Sequence, residues 1–131
     1  YGVMHLNSFV NAPKVINRYY QMKDYPNLFI AGQLSGVEGY IESAGSGLVA
    51  GINMARFFNH QSLLDFTQET ALGSQAYYLE NALPDDFQPM NINFGLFSPL
   101  IGRYNKRDRK QFIVKRSLDN IQKMLEEHQF D

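Results

Sequence analysis

Apolar and polar positions along the chain fall into patterned stretches separated by turn chemistry. Near the start, Val3, His5 and Asn7 interleave with Met4, Leu6 and Phe9, a rough alternation that predicts a short strand. The segment around Pro13 reads as a loop, "YYQM" as a second short strand, and "KDYPN" as a turn. "LFIA" is a continuous apolar run that stops at Gly32, the pattern of a buried strand.

A long helical pattern follows. Ser35 and Glu38 fit a capping box, which places the helix start near Ser35 and its end near Phe58. Within it Ala44, Gly47, Gly51 and Ala55 recur at spacings of 3, 4 and 4, so the small residues share one face. Gly45, Gly47 and Gly51 together cost about 3 kcal/mol of helix propensity relative to alanine. A close neighbour on that face would justify the cost. Thr67 is the expected cap of a second helix carrying Leu72, Ala76, Leu79 and Leu83, which Pro84 stops. "PDDFQPMNINFGLFSPLIG" is long and irregular, with Met90, Ile92, Phe94 and Leu96 alternating, and is too apolar for a solvated linker. A last helix is expected from a capping box at Asp108 and Gln111, with Val114, Leu118, Ile121 and Leu125 as its buried stripe.

Composition narrows the class. The 131 residues are one domain's worth of chain, and 44% hydrophobic content with 18 Phe and Tyr residues supplies a core and excludes whole-chain disorder. No run of 18 uncharged apolar residues is present, so no membrane-spanning helix is expected. Cysteine is absent, which excludes disulfides and thiolate metal sites, and a cytoplasmic protein without membrane contact is the expectation. His5, His60 and His128 lack ligand spacing, so no metal is expected. The opening at Tyr1 suggests a piece of a longer protein.

Charge is unevenly placed. Residues 1–102 hold 4 Lys/Arg against 8 Asp/Glu, a balance of −4, while residues 103–131 hold 8 against 5, a balance of +3. The run Arg103, Lys106, Arg107, Arg109, Lys110, Lys115 and Arg116 faces a single acid, Asp108. It reads either as a phosphate-tracking patch or as the solvated start of a helix. Tyr77 and Tyr78 read likewise as base-stacking rings or as core.

Strand, glycine turn and capped helix start together make a place for negative charge, since free N–H groups and the helix dipole converge there. Without a GxGxxG fingerprint this is no dinucleotide loop, and tight strand–helix packing explains the pattern equally well. The residues also carry a resemblance. "LFIAGQLSGVEGYIESAGSGLVAGINMAR" resembles the flavin-contacting segment of the GidA-like FAD proteins. Together with "GVMHLNSFVNAPKVIN", "ETALGSQAYYL" and "FQPMNINFGL", it is most similar to the folate- and FAD-dependent tRNA (uracil-5-)-methyltransferase family (TrmFO, or Gid).

The resemblance implies an α/β chain that completes a Rossmann-like FAD-binding domain, with a few short strands and three main helices. Residues 1–60 would belong to the FAD domain, and residues 61–131 would form a helical region with an apolar wrapping loop and a basic helix. FAD would lie against Gly32, Gly36, Val37, Gly39, Tyr40 and Glu42. Gly36 and Gly39 would let backbone approach the ring, and Gly47 and Gly51 would let the helix lie close to the FAD domain's sheet. Methylenetetrahydrofolate and NAD(P)H would be co-substrates, tRNA the substrate on the basic run, and the missing N-terminal part of the same protein a partner. The family uses cysteine in its chemistry, so no catalytic residue is assigned on this chain. Leu6 and Ala12 stand where the family pattern has arginine and serine, which leaves the first strand without a site assignment. Two other readings remain: a GidA-type wobble-uridine flavoprotein, and a non-catalytic RNA-binding module.

Overall fold

The structure, a computed structural model, describes residues 8–128. The predicted first strand, with His5 and Leu6, therefore lies outside the described residues except for Ser8 and Phe9. Four α-helices carry the fold: α1 (Ala12–Val15), α2 (Tyr40–Phe58), α3 (Ala71–Asn81) and α4 (Arg109–Glu127). The three long ones are the three expected. Strand content among the described residues is limited to isolated bridges, Ile16 with Met22, Gln21 with Phe29, and Val37 with Met90.

Several local expectations change. The Pro13 segment is helical, because proline in a first helical turn has its φ preset and no N–H to lose. Residues 28–31 make no buried strand: Phe29 bridges Gln21, the Ile30 N–H donates to the Tyr20 carbonyl, and Leu28 is exposed. That segment folds back on residues 16–22 through a turn organised by Asn17, whose side-chain oxygen accepts from the Tyr19 and Gln21 N–H groups. The turn holds Tyr20 at φ 62° and sends its ring into the core. There burial raises the phenol pKa well above its ordinary value, and the hydroxyl accepts from Gln75 Nε2 at 3.2 Å.

The capping residues also move. Ser35 Oγ donates to the Gly32 carbonyl and closes a 3₁₀ turn, Gly32–Ser35, so it caps nothing. Gly36 and Gly39, at φ 99° and 106°, then reorient the chain, and α2 begins only at Tyr40. Thr70, not Thr67, caps α3, accepting from the Gly73 N–H at 2.9 Å, while Thr67 sits at φ 64° in the preceding turn. Leu83 lies past the helix end and is exposed. Asn105 replaces Asp108 as the capping side chain: it accepts from Arg107 N–H and starts a 3₁₀ turn that leads into α4.

The core gathers Ala12, Ile16, Tyr20 and Val37 with Val49 and Ala50 of α2, Leu64 and Phe66 of the segment before α3, Ala76 and Leu79 of α3, Phe87, and Met124 of α4. Polar side chains stitch its parts. Asn53, fully buried, pairs with both backbone groups of Leu64, and Ser46 Oγ accepts from Gly32 N–H. At the edge, Arg18 forks onto Glu80 and reaches Asp65 at 3.0 Å, its guanidinium above the Tyr77 ring. The Glu80 bonds, then Asp65, hold that guanidinium charged.

Two helices keep an uncovered apolar face. On α2 the buried positions are Ser46, Val49, Ala50 and Asn53. The small-residue face of Ala44, Gly47, Gly51 and Ala55 is exposed, flanked by exposed Leu48, Met54 and Phe58. On α4 the buried residues are Ile113 and Met124, one position off the expected stripe; Val114, Leu118 and Leu125 are exposed.

Candidate functional site

The turn between Gly32 and Tyr40 aims the start of α2 at an open cleft of about 620 Å³ lined by Phe9, Gln33, Val37, Gly39, Tyr40 and Gln88, among others, with Glu38 the charged side chain in its lining. Its position follows from local chemistry. Three positive-φ glycines, at 32, 36 and 39, let the chain pass from the 3₁₀ turn into a 19-residue helix. Val37 is the anchor: its side chain is buried and its backbone bridges Met90 in parallel. Gly39 occupies the N-cap position and offers no capping side chain, and the Glu42 carboxylate in the first turn takes up one of the helix's first N–H groups, its own. The positive end of the α2 dipole therefore faces the cleft.

Of the six residues expected at the flavin, Val37, Gly39 and Tyr40 line this cleft, and the Tyr40 ring is 98% exposed. Gly32, Gly36 and Glu42 do not. A Cβ on Gly36 would meet Phe87 Cε1 at 2.8 Å, and one on Gly39 would meet Glu42 Oε2 and Asn91 Nδ2. Both glycines therefore make room for side chains of this same chain. At Gly32 a Cβ would meet nothing within 4 Å.

Glu42 ties the apolar loop to the site. Its carboxylate accepts from Ile92 N–H at 3.2 Å and Asn91 Nδ2 at 3.4 Å, and Asn91 also donates to the Glu38 carbonyl. These bonds hold the long irregular stretch against the start of α2. Its own backbone N–H, then Ile92 and Asn91, lower the Glu42 carboxyl pKa below its ordinary 4.5. A lowered folded-state pKa means the contact is held above pH 4.5 and lost as pH falls through the lower folded value. Hydrogen exchange at the Ile92 amide, corrected for intrinsic rate, should accelerate in that acid window. In Glu42→Ala it should be fast throughout with no such step. A step of equal size in the variant would assign the protection to another group.

The basic run divides. Arg116 is spent on structure, donating to the Ser98 and Pro99 carbonyls at 2.6 and 3.1 Å, and Lys115 pairs with Asp119 at 3.0 Å. Lys110 lies over the Phe94 ring. Arg103, Lys106, Arg107 and Arg109 are exposed and form no ion pair among the described residues. They gather before α4 and in its first turn. Tyr78 lies tilted against Phe87 and donates to the Gln88 carbonyl at 2.6 Å, and Tyr77 underlies Arg18, so neither ring is a free platform.

Sequence reasoning missed Asn53, Gln75 and the Arg18 cluster. Gln75 donates to Tyr20 Oη and to the Glu42 carbonyl, joining the core turn to the site helix. The available signal was a polar residue at a core-facing register of a helix, as Asn53 is with Val49.

The family model described as "Glucose inhibited division protein A" matches residues 1–62. The chain is 52% identical over 126 residues, 95% of its length, to a protein of Anoxybacillus flavithermus named methylenetetrahydrofolate–tRNA-(uracil-5-)-methyltransferase TrmFO. Proteins of the same name from Listeria monocytogenes and Bacillus velezensis are 50% and 51% identical over 97% and 93% of the chain. The chain spans 29% of the Anoxybacillus protein, 30% of the Listeria protein and 28% of the Bacillus protein.

Proposed function

We propose that the chain belongs to the folate-dependent tRNA (uracil-5-)-methyltransferase (TrmFO) family and is the part of such an enzyme that completes a flavin site and presents a tRNA-binding surface. The product would be 5-methyluridine in the T loop, with methylenetetrahydrofolate as carbon donor. The observation that carries this reading is the start of α2, with glycine at its N-cap, facing an open cleft, in a chain half identical to proteins of that name.

The site's chemistry fits a flat, anionic ring. Its volume lies within the roughly 300–1,000 Å³ of small-molecule sites, and the helix end supplies partial positive charge, shared with the Glu42 carboxylate of its first turn. Gly39 and Tyr40 would border the FAD ring and Val37 would fix the turn beneath it, with Gly32 and Gly36 shaping the approach. Glu42 acts through position, holding residues 91 and 92 against the turn. When bound, FAD reduced by NAD(P)H supplies the electrons that turn a methylene carbon into a methyl group. The exposed small-residue face of α2 would be covered by the rest of a Rossmann-like FAD domain, contributed by the remaining length of the protein. Residues 1–60 thus serve the cofactor, and residues 61–131 serve the RNA in a soluble, cytoplasmic enzyme.

The experiment is a graft. The matching segment of the Anoxybacillus protein is exchanged for this chain, and tRNA from reaction mixtures is digested and assayed for 5-methyluridine. The graft should bind FAD and form the product. A folded graft that retains FAD yet forms no 5-methyluridine, beside an active parent, would overturn the proposal.

A further inference from the structure

A second cleft, of about 500 Å³, lies between α4 and the loop that precedes it. Leu100, Ile101, Tyr104 and Phe112 line it together with Arg103 and Lys115. Gly102, at φ 97°, turns the loop, and Arg116 anchors its base through the Ser98 and Pro99 carbonyls. The loop is thus fixed from below while its tip stays open. Tyr104 and Phe112 are 39% and 45% exposed, and Ile101 is 99% exposed. Two half-exposed rings, a partly exposed Leu100 and a fully exposed Ile101 beside arginines are not core. The acid in the lining, Asp119, holds Lys115 and leaves Arg103 unpaired.

We infer that this cleft seats one unpaired base of an RNA strand, with the neighbouring phosphates running along Arg103, Lys106, Arg107 and Arg109. The inference rests on the tRNA reading above and specifies which part of an RNA the surface takes. Charge complementarity chooses the partner: Arg103, Lys106, Arg107 and Arg109 are four exposed cations without an ion pair among the described residues, which suits a polyanion. The rings choose the form. Bases in a duplex are already stacked and would use the cations alone, whereas an unpaired base offers a flat apolar face that aromatic side chains recognise. A cleft lined by Tyr104 and Phe112 has a purpose only for the second.

The test uses this chain and two RNA probes, a hairpin with 2-aminopurine in its loop and a blunt duplex of similar length. The hairpin should bind more tightly than the duplex, and 2-aminopurine fluorescence should change on binding. Phe112→Ala and Tyr104→Ala should each weaken hairpin binding about 5- to 100-fold, with duplex binding and the salt slope unchanged. Tyr104→Phe, which keeps the ring, should bind like the unsubstituted chain. Arg107→Glu with Arg109→Glu should weaken both probes, each lost phosphate contact removing about 0.7–0.9 from the slope of log K against log salt. Circular dichroism checks that each variant folds. Equal affinity for hairpin and duplex, untouched by the ring substitutions, would overturn the cleft assignment while leaving the tRNA reading intact. No RNA binding beside an active graft would overturn it also, whereas an inactive graft counts against the function itself.

Discussion

Replacing Asn53 with leucine should destabilise the chain by about 3–5 kcal/mol, although leucine is apolar, of similar size and the better helix former. Asn53 is fully buried, its Oδ1 accepting from Leu64 N–H at 2.6 Å and its Nδ2 donating to the Leu64 and Val49 carbonyls. Leucine would leave both backbone groups of Leu64 inside the core with no partner. Each orphaned group costs about 1–3 kcal/mol, and the added apolar contact offsets part of this. Against the roughly 5–15 kcal/mol that stabilises a domain, the loss is large. The melting temperature should fall by about 10 °C or more. A melt within a few degrees of the unsubstituted chain would mean that water or a shifted loop satisfies Leu64 instead.

The reason Asn53 escapes a sequence reading also explains which parts of the fold were legible. The three long helices are announced by period alone, because amphipathic spacing is a property of each segment by itself. Their starts are not. Ser35, Thr67 and Asp108 all have the right chemistry for a cap, yet a cap is a contest between neighbouring polar groups. Gly36 and Gly39 at positive φ, Thr70, and Asn105 win those contests through backbone geometry. The α4 stripe, of which Ile121 packs against the core, was otherwise misplaced for a related reason. Phe112, Ile113, Val114 and Leu118 offer two apolar faces, and packing decided between them: Ile113 is buried, Leu118 is 63% exposed.

At the candidate site, the turn was legible because glycine spacing and the family resemblance coincide there, although the helix after it starts at Tyr40 and not near Ser35. The partners of those glycines were not. Phe87 and Asn91 lie about fifty residues downstream, and only the tertiary fold brings them to Gly36 and Gly39. The basic run was legible as composition, but its division was not. Arg116 looks like its neighbours in sequence and differs only in having two loop carbonyls within reach.

The glycines of α2 and α3 give the second large effect, because one substitution should act with opposite sign on two helices. Gly73→Ala should destabilise the chain by about 2–4 kcal/mol, reversing the roughly 1 kcal/mol that alanine normally contributes in a helix. A Cβ at residue 73 would run into the Thr67 carbonyl oxygen, with Thr67 C at 2.6 Å and Phe66 C at 2.7 Å, and all three atoms are backbone. That backbone cannot yield cheaply. Thr67 is held at φ 64°, its N–H bonded to Asp65 Oδ1, and the next residues carry the Thr70 cap. Gly47→Ala and Gly51→Ala meet nothing within 4 Å, so each should stabilise the isolated chain by about 1 kcal/mol through propensity alone. Thermal melts of the three variants decide the matter, and a gain for Gly73→Ala would show that the 66–67 turn can move aside. The same Gly47 and Gly51 variants placed in the graft separate packing from propensity. If the open face of α2 meets the remainder of the enzyme at backbone distance, a methyl group that helps the isolated chain should weaken FAD retention in the graft. An unchanged graft would mean that nothing approaches α2 closely at those positions, and that the propensity cost of its glycines has another cause.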